Sequence, residues 1–234
     1  VTAISSKSDA HRLLIASALS DRPTFIRCNA RSADITATVN CLNSLGADIK
    51  FVDGGISVKP IKEKRKSAVL DCNESGSTIR FLLPVAAALG TNTEFTGGRL
   101  PERPLSPLRE QMEAHGVVFS PINVFPVKIN GEMISGEFTI KGNISSQFIT
   151  GLLFALPLLN GNSIITVIPP VESRPYIDMT LNTLKKFGIT VTEKSNSFFI
   201  PGGQKYASPG TVESEGDWSN SAFFLTAGAV SGRV

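Results

Sequence analysis

The chain has 234 residues, 41% of them hydrophobic, enough apolar material for one large core or two small ones. A formal net charge of only +3 argues against a nucleic-acid binder, and three scattered cysteines without a C-x-x-C pair argue against a disulfide scaffold or a zinc cluster. The longest apolar run, Ile149 to Leu159, is far shorter than the roughly 20 residues of a membrane span and contains Pro157, so no membrane partner is expected.

Val1 leads directly into polar sequence without a signal peptide, and a cytoplasmic location is the expectation. From Ser6, "SKSDAHRLLIASALSDRPTFIRC" opens on small hydroxyl residues, becomes a helix that is apolar nearly all round, and closes in a strand. A helix with no polar face must be buried on every side. From Asp34, "DITATVNCLNSLGADIKFVDGGISVKP" predicts an amphipathic helix, a left-handed glycine at Gly46 and a β-hairpin. The basic run from Lys59 to Lys66 is interrupted by Pro60 and Glu63 and carries no aromatic residue, as a solvated connection would.

The two patterns then alternate at a shift of roughly 70 residues. "ESGSTIRFLLPVAAALGTNTEFTGG" from Glu74 and "NISSQFITGLLFALPLLNGNSIITVI" from Asn143 repeat the buried helix; "GDWSNSAFFLTAGAVSGRV" from Gly216 is an incomplete fourth copy. Segments beginning at Leu105 and Tyr176 repeat the exposed helix and hairpin, with glycines at Gly116 and Gly188. The expected fold is therefore an inside-out α/β arrangement with buried helices gathered inside and sheets facing solvent.

Each buried helix starts with hydroxyl residues, and helix starts carry unpaired N–H groups and the positive end of the dipole. Ser145 and Ser146 add hydroxyl donors at one such mouth; simple N-capping is the bland reading of any single serine. Lys7 and Arg12 flank the first mouth, Arg80 lies one turn inside the second, and "GGRLPERP" sets Arg99 and Arg103 in a loop where Gly97 and Gly98 permit close backbone approach. Such a site suits a polyanionic small molecule. His11 and His115 have no second ligand at metal spacing and are expected in cap or surface roles; Trp218 is expected to be a packing anchor. Leu82, Leu83, Val85, Leu152, Leu153 and Phe154 are expected in the core.

The segments "SKSDAHR", "ESGSTIRFL", "GGRLPERPL", "SSQF", "SRPYID" and "EGDWSNSAFFL" together resemble, in order and spacing, the EPSP synthase family of 3-phosphoshikimate 1-carboxyvinyltransferases. The resemblance covers essentially the whole chain and corresponds to the first half, or slightly more, of the family's length. It implies a fold of βαβαββ units, three pseudo-symmetric repeats per barrel-like domain, with mixed four-stranded sheets outside. It also implies transfer of the enolpyruvyl group of phosphoenolpyruvate to the 5-hydroxyl of shikimate 3-phosphate, in aromatic amino acid biosynthesis, with no cofactor or metal. Ser145, Ser146 and Ser173 would take the shikimate phosphate, Ser8 and Arg12 its carboxylate, Tyr176 its ring, and Gln147 both ligands. Lys7, Gly76, Arg99 and Gln147 would receive phosphoenolpyruvate, Lys7 acting electrostatically and also lying beside shikimate 3-phosphate.

Departures from the family pattern are Glu74 and Ser77 around Gly76, where asparagine and threonine are common, and Phe81 where proline is common. That loop is where glyphosate competes in the family. The chain stops at "AGAVSGRV", so the family's acid and base residues would lie outside it; Glu215, Asp217 and Asp178 read as cap or surface charges. A truncated, inactive fragment is expected, monomeric when intact, with residues 21–211 as one three-repeat domain and residues 1–20 and 212–234 belonging to a second. Alternatives are the related UDP-N-acetylglucosamine enolpyruvyl transferase and a non-catalytic anion-binding repeat domain.

Overall fold

The computed structural model describes residues 3–98, 100, 103–120 and 125–232. Helix α1 (Lys7–Ala18) leads into β1 (Thr24–Arg27), α2 (Ala33–Ser44) and a hairpin of β2 (Asp48–Val52) and β3 (Gly55–Lys59). Next come β4 (Ser67–Asp71), α3 (Gly76–Ala88), β5 (Asn92–Thr96), α4 (Leu108–Ala114), β6 (Val118–Ser120) and β7 (Val127–Asn130). The same order follows in β8 (Glu137–Lys141), α5 (Ser146–Ala155), β9 (Ser163–Ile168), α6 (Arg174–Lys186), β10 (Thr192–Lys194) and β11 (Ser197–Ile200). Strand β12 (Thr211–Glu213) and α7 (Trp218–Ser231) end the described chain.

Three four-stranded sheets result, with orders β12-β1-β3-β2, β4-β5-β7-β6 and β8-β9-β11-β10. In each, the first two strands run parallel and the rest antiparallel. The second and third units are contiguous βαβαββ repeats. The first borrows its opening strand from the far end of the chain, pairing Phe25 with Thr211 and Arg27 with Glu213. The sheets remain separate and do not close into one barrel among the described residues; the resemblance to a barrel lies in helices inside and sheets outside. Strand burial alternates, for example Val127 and Ile129 inward with Lys128 and Asn130 outward. This is the period-2 pattern of a sheet with one wet face.

Helices α1, α3 and α5 fill the interior because their sequences offer no polar face. Leu82, Leu83, Val85, Leu152, Leu153 and Phe154 are fully buried. Helices α3 and α5 pack on each other, and Gly151 makes their approach possible. A Cβ there would overlap the Arg80 carbonyl oxygen and stand 2.8 Å from Pro84 Cγ. The outer helices end at Gly46, Gly116 and Gly188 with φ of +114°, +89° and +75°, the left-handed backbone that lets each chain turn into its hairpin.

Residues 10–18 are buried in α1 within the same core as the repeats, and β12 lies in the first sheet. Having the apolar pattern of α3 and α5, α1 supplies the third inner helix. Consequently α7 has no place inside: none of its residues is buried, and Trp218, far from anchoring a core, is 76% exposed. His11 is fully buried rather than on the surface, because it rides on α1 and its ring meets Phe81 edge-on. The basic connection from Lys62 to Lys66 is exposed, and no described helix is long and apolar enough to cross a membrane.

Candidate functional site

The starts of α1, α2, α3, α5 and α6 converge on one cleft of about 650 Å³. Lys7, Ser8, Arg12, Ser145, Ser146, Gln147, Ser173 and Tyr176 all line it, although they come from three separate stretches of sequence. Arg99 lies outside the described residues. Gly76 is buried beside the cleft rather than in its wall; a Cβ there would lie 2.9 Å from Arg103 Nη1, so the missing side chain makes room for a guanidinium of the chain itself.

Arg12 is 2% exposed, and all three of its nitrogens donate hydrogen bonds. Its Nε donates to Thr180 Oγ1 (2.8 Å), Nη1 to the Ser8 carbonyl (2.7 Å), and Nη2 to the Tyr176 carbonyl (2.9 Å) and Thr150 Oγ1 (3.3 Å). The Phe81 ring lies 5.2 Å below it. No carboxylate pairs with it among the described residues, and burial lowers its pKa to about 10, with Asp9 and Tyr176 opposing. A buried cation held only by neutral oxygens keeps most of its electrostatic attraction for an incoming anion. Lys7 differs: its Nζ pairs with Asp34 at 2.9 Å in an exposed position, where an ion pair contributes little and exchanges readily for a ligand.

At the α5 mouth the Ser145 hydroxyl accepts from the Gln147 N–H at 3.2 Å, so Ser145 is the cap of its helix. Ser146, at the first helical position, is 7% exposed. Ser173 starts α6 in the left-handed region, φ +58° and ψ +34°, with no capping bond from its side chain. Such a conformation costs roughly 1–3 kcal/mol for a non-glycine residue. The Ser173 hydroxyl makes no capping bond, and the residue lines the cleft.

Sequence reasoning placed Arg80 near a mouth but did not include it, or Ser77, among the site residues. Arg80 Nη1 donates to Gln147 Oε1 (2.8 Å) and Nη2 to the Pro104 carbonyl (3.0 Å), while Gln147 Nε2 donates to Ser77 Oγ (2.9 Å). Arg80 Cζ sits 5.0 Å over Phe148, and its buried Nε has no partner among the described residues. Burial, and then Arg103, lower its pKa. The available signal was spacing: Arg80 follows Gly76 by four residues, one turn down the same helix face. Arg31 and Ser32, from the start of α2, also face the cleft.

Acidic groups here are few. Asp217 caps α7, and although burial pushes its pKa up, N–H donors from Asn220 and Lys7 pull it below the usual value. A second hollow of about 980 Å³ lies behind Tyr176, between α6 and the start of α7, and only Ser8 and Tyr176 of the predicted residues reach it. Its Glu215 carboxyl is raised by burial and by neighbouring Asp9.

Fold and cleft together define an inside-out α/β repeat protein with a hydroxyl-lined, cationic cleft at its inner helix starts. Residues 1–234 match the family described as EPSP synthase (3-phosphoshikimate 1-carboxyvinyltransferase), and the chain belongs to that family. Relatives named 3-phosphoshikimate 1-carboxyvinyltransferase include those of Brachyspira hyodysenteriae, 42% identical over 233 residues, and Clostridium botulinum, 42% identical over 238. Each comparison covers 98% of this chain and 55% of the relative, so the chain spans about half the length of the curated relatives it matches. A solved EPSP synthase from Acinetobacter baumannii shares the fold with a TM-score of 0.83 at 21% identity, over 98% of this chain and 52% of that one.

Proposed function

We propose that this chain forms the shikimate 3-phosphate-binding part of an enzyme that transfers the enolpyruvyl group of phosphoenolpyruvate to the 5-hydroxyl of that carbocycle. The supporting observation is the convergence of Lys7, Ser8, Arg12, Ser145, Ser146, Gln147, Ser173 and Tyr176 on one cleft. Ser146, Ser173 and the unpaired N–H groups of the α5 mouth take the phosphate, with Ser145 capping behind them. Arg12 and Ser8 face the carboxylate, and the half-exposed Tyr176 ring covers the carbocycle. Phosphoenolpyruvate lies toward Lys7, Gln147 and the Arg80–Arg103 side.

In the reaction the 5-hydroxyl oxygen bonds to the enol carbon and loses its proton. The methylene carbon gains a proton and becomes a methyl, a tetrahedral intermediate forms, and phosphate leaves as that methyl gives a proton back and the double bond is restored. The chain's share is to hold two mutually repelling anions together and neutralise their charge. Among the described residues the cleft offers no free general acid or base: Asp34 pairs with Lys7, Asp217 caps a helix, and His11 lies beneath the floor. The chain alone therefore binds without turning over. A cytoplasmic, monomeric enzyme suits this reading.

Calorimetric titration with shikimate 3-phosphate, with and without phosphoenolpyruvate, tests it on the chain and on Ser146→Ala. Losing one charge-assisted hydrogen bond should cost about 1.5–3 kcal/mol, a Kd weaker by roughly tenfold or more. Absence of saturable binding in the parent, or equal affinity in the variant, overturns the assignment of this mouth.

A further inference from the structure

Beneath the cleft a chain of buried hydroxyls joins three helices, and the binding roles above leave it unused. His11 Nδ1 on α1 lies 2.8 Å from Thr38 Oγ1 on α2, which lies 2.7 Å from Thr78 Oγ1 on α3. Thr78 Oγ1 donates to Ser75 Oγ at 2.7 Å, and Ser75 Oγ also accepts the Thr78 backbone N–H at 3.2 Å. All four residues are at most 1% exposed.

Because each hydroxyl has a single proton, one bond sets the direction of the rest. Thr78 gives its proton to Ser75, so Thr38 must give its own to Thr78, and His11 must donate Nδ1–H to Thr38. The ring is then neutral with a bare Nε2, the one imidazole atom without a partner among the described residues. The opposite tautomer would reverse every bond and bury an unpaired N–H instead. At the other end Ser75 accepts two hydrogen bonds, and its own proton has no described acceptor. Ser75 caps α3 next to Gly76, where the Arg103 guanidinium packs.

We propose that His11 is a positioning residue: through Thr38 and Thr78 it fixes the proton direction at the Ser75 cap and so holds the first turn of α3 as a one-way donor surface beside Gly76 and Arg103. This rests on the reading of that turn as part of the phosphoenolpyruvate side of the cleft. Chemically, the relay lets a residue buried one helix away decide whether the mouth donates to an anion or competes with it.

The test uses the whole chain, labelled with nitrogen-15. Long-range proton–nitrogen correlations should show His11 as the Nδ1–H tautomer at pH 7; an Nε2–H or doubly protonated ring overturns the proposal. Thr38→Val removes the hydroxyl at nearly constant shape, and Thr38→Ser keeps it. The Val variant should speed hydrogen exchange of the Thr78 amide about tenfold while leaving the α5 amides unchanged, and the Ser variant should restore the parent rate. Phosphoenolpyruvate affinity should follow the same order, with shikimate 3-phosphate affinity unaffected. Parent-like exchange at Thr78 in Thr38→Val overturns the relay. If the parent binds neither ligand, the binding reading fails, while the tautomer and exchange results still decide the relay.

Discussion

Gly151→Ala isolates the contact on which the interior depends. In an exposed helix this change would stabilise by about 1 kcal/mol through propensity alone. Here the new methyl would overlap the Arg80 carbonyl oxygen, with Pro84 Cγ at 2.8 Å and Phe81 Cα at 3.3 Å. None of these can rotate away, since two are backbone atoms and the third belongs to a ring. Helices α3 and α5 must separate, at the upper end of overpacking costs, about 3 kcal/mol. The net loss is then about 2 kcal/mol, or roughly 4–8 °C in Tm for a chain of this size. Urea denaturation followed by circular dichroism measures it, with an unchanged slope showing that the same unfolding is observed. Because the shift also moves Arg80 away from Gln147, ligand affinity should fall with stability. A Gly151→Ala protein as stable as the parent, or more so, would refute the close-approach argument.

Two further outcomes follow from burial. Burial lowers the His11 pKa from 6.5 to about 4, with Asp34 opposing and Lys7 and Arg12 assisting. Between those values the unfolded chain binds a proton that the folded chain does not, so stability falls as pH drops from 6.5 toward 4, by up to about 3 kcal/mol. His11→Asn, compared with the parent by urea melts across that range, should show the shallower dependence; equal slopes would count against a neutral buried ring. Trp218 is the sole tryptophan and 76% exposed, so fluorescence should peak near the position of free indole and be quenched readily by acrylamide. A blue-shifted, protected emission would mean that α7 is covered.

The repeats were readable because buried and exposed helices alternate with glycine stops, and Gly46, Gly116 and Gly188 do adopt left-handed backbone. The α5 mouth was readable for the same reason, since Ser145 and Ser146 stand at the start of a buried helix. What local pattern could not reveal was partnership at a distance. Nothing around Thr211 announces that its strand completes a sheet begun at Phe25. The apolar faces of α1 and α7 look alike in sequence, yet only one can be the third inner helix. Gly76 likewise reads as space for a ligand until Arg103 is seen occupying it.

The borrowed strand also has a consequence for synthesis. The second and third repeats can each close as soon as their own contiguous residues have left the ribosome, up to Asn130 and Ile200. The first emerges earliest yet cannot finish until Glu213 is made, so β1 waits with an unpaired edge while its younger neighbours fold. Assembly therefore runs out of step with translation: the first-made sheet is the last completed, and its late closure locks the two ends of the unit together.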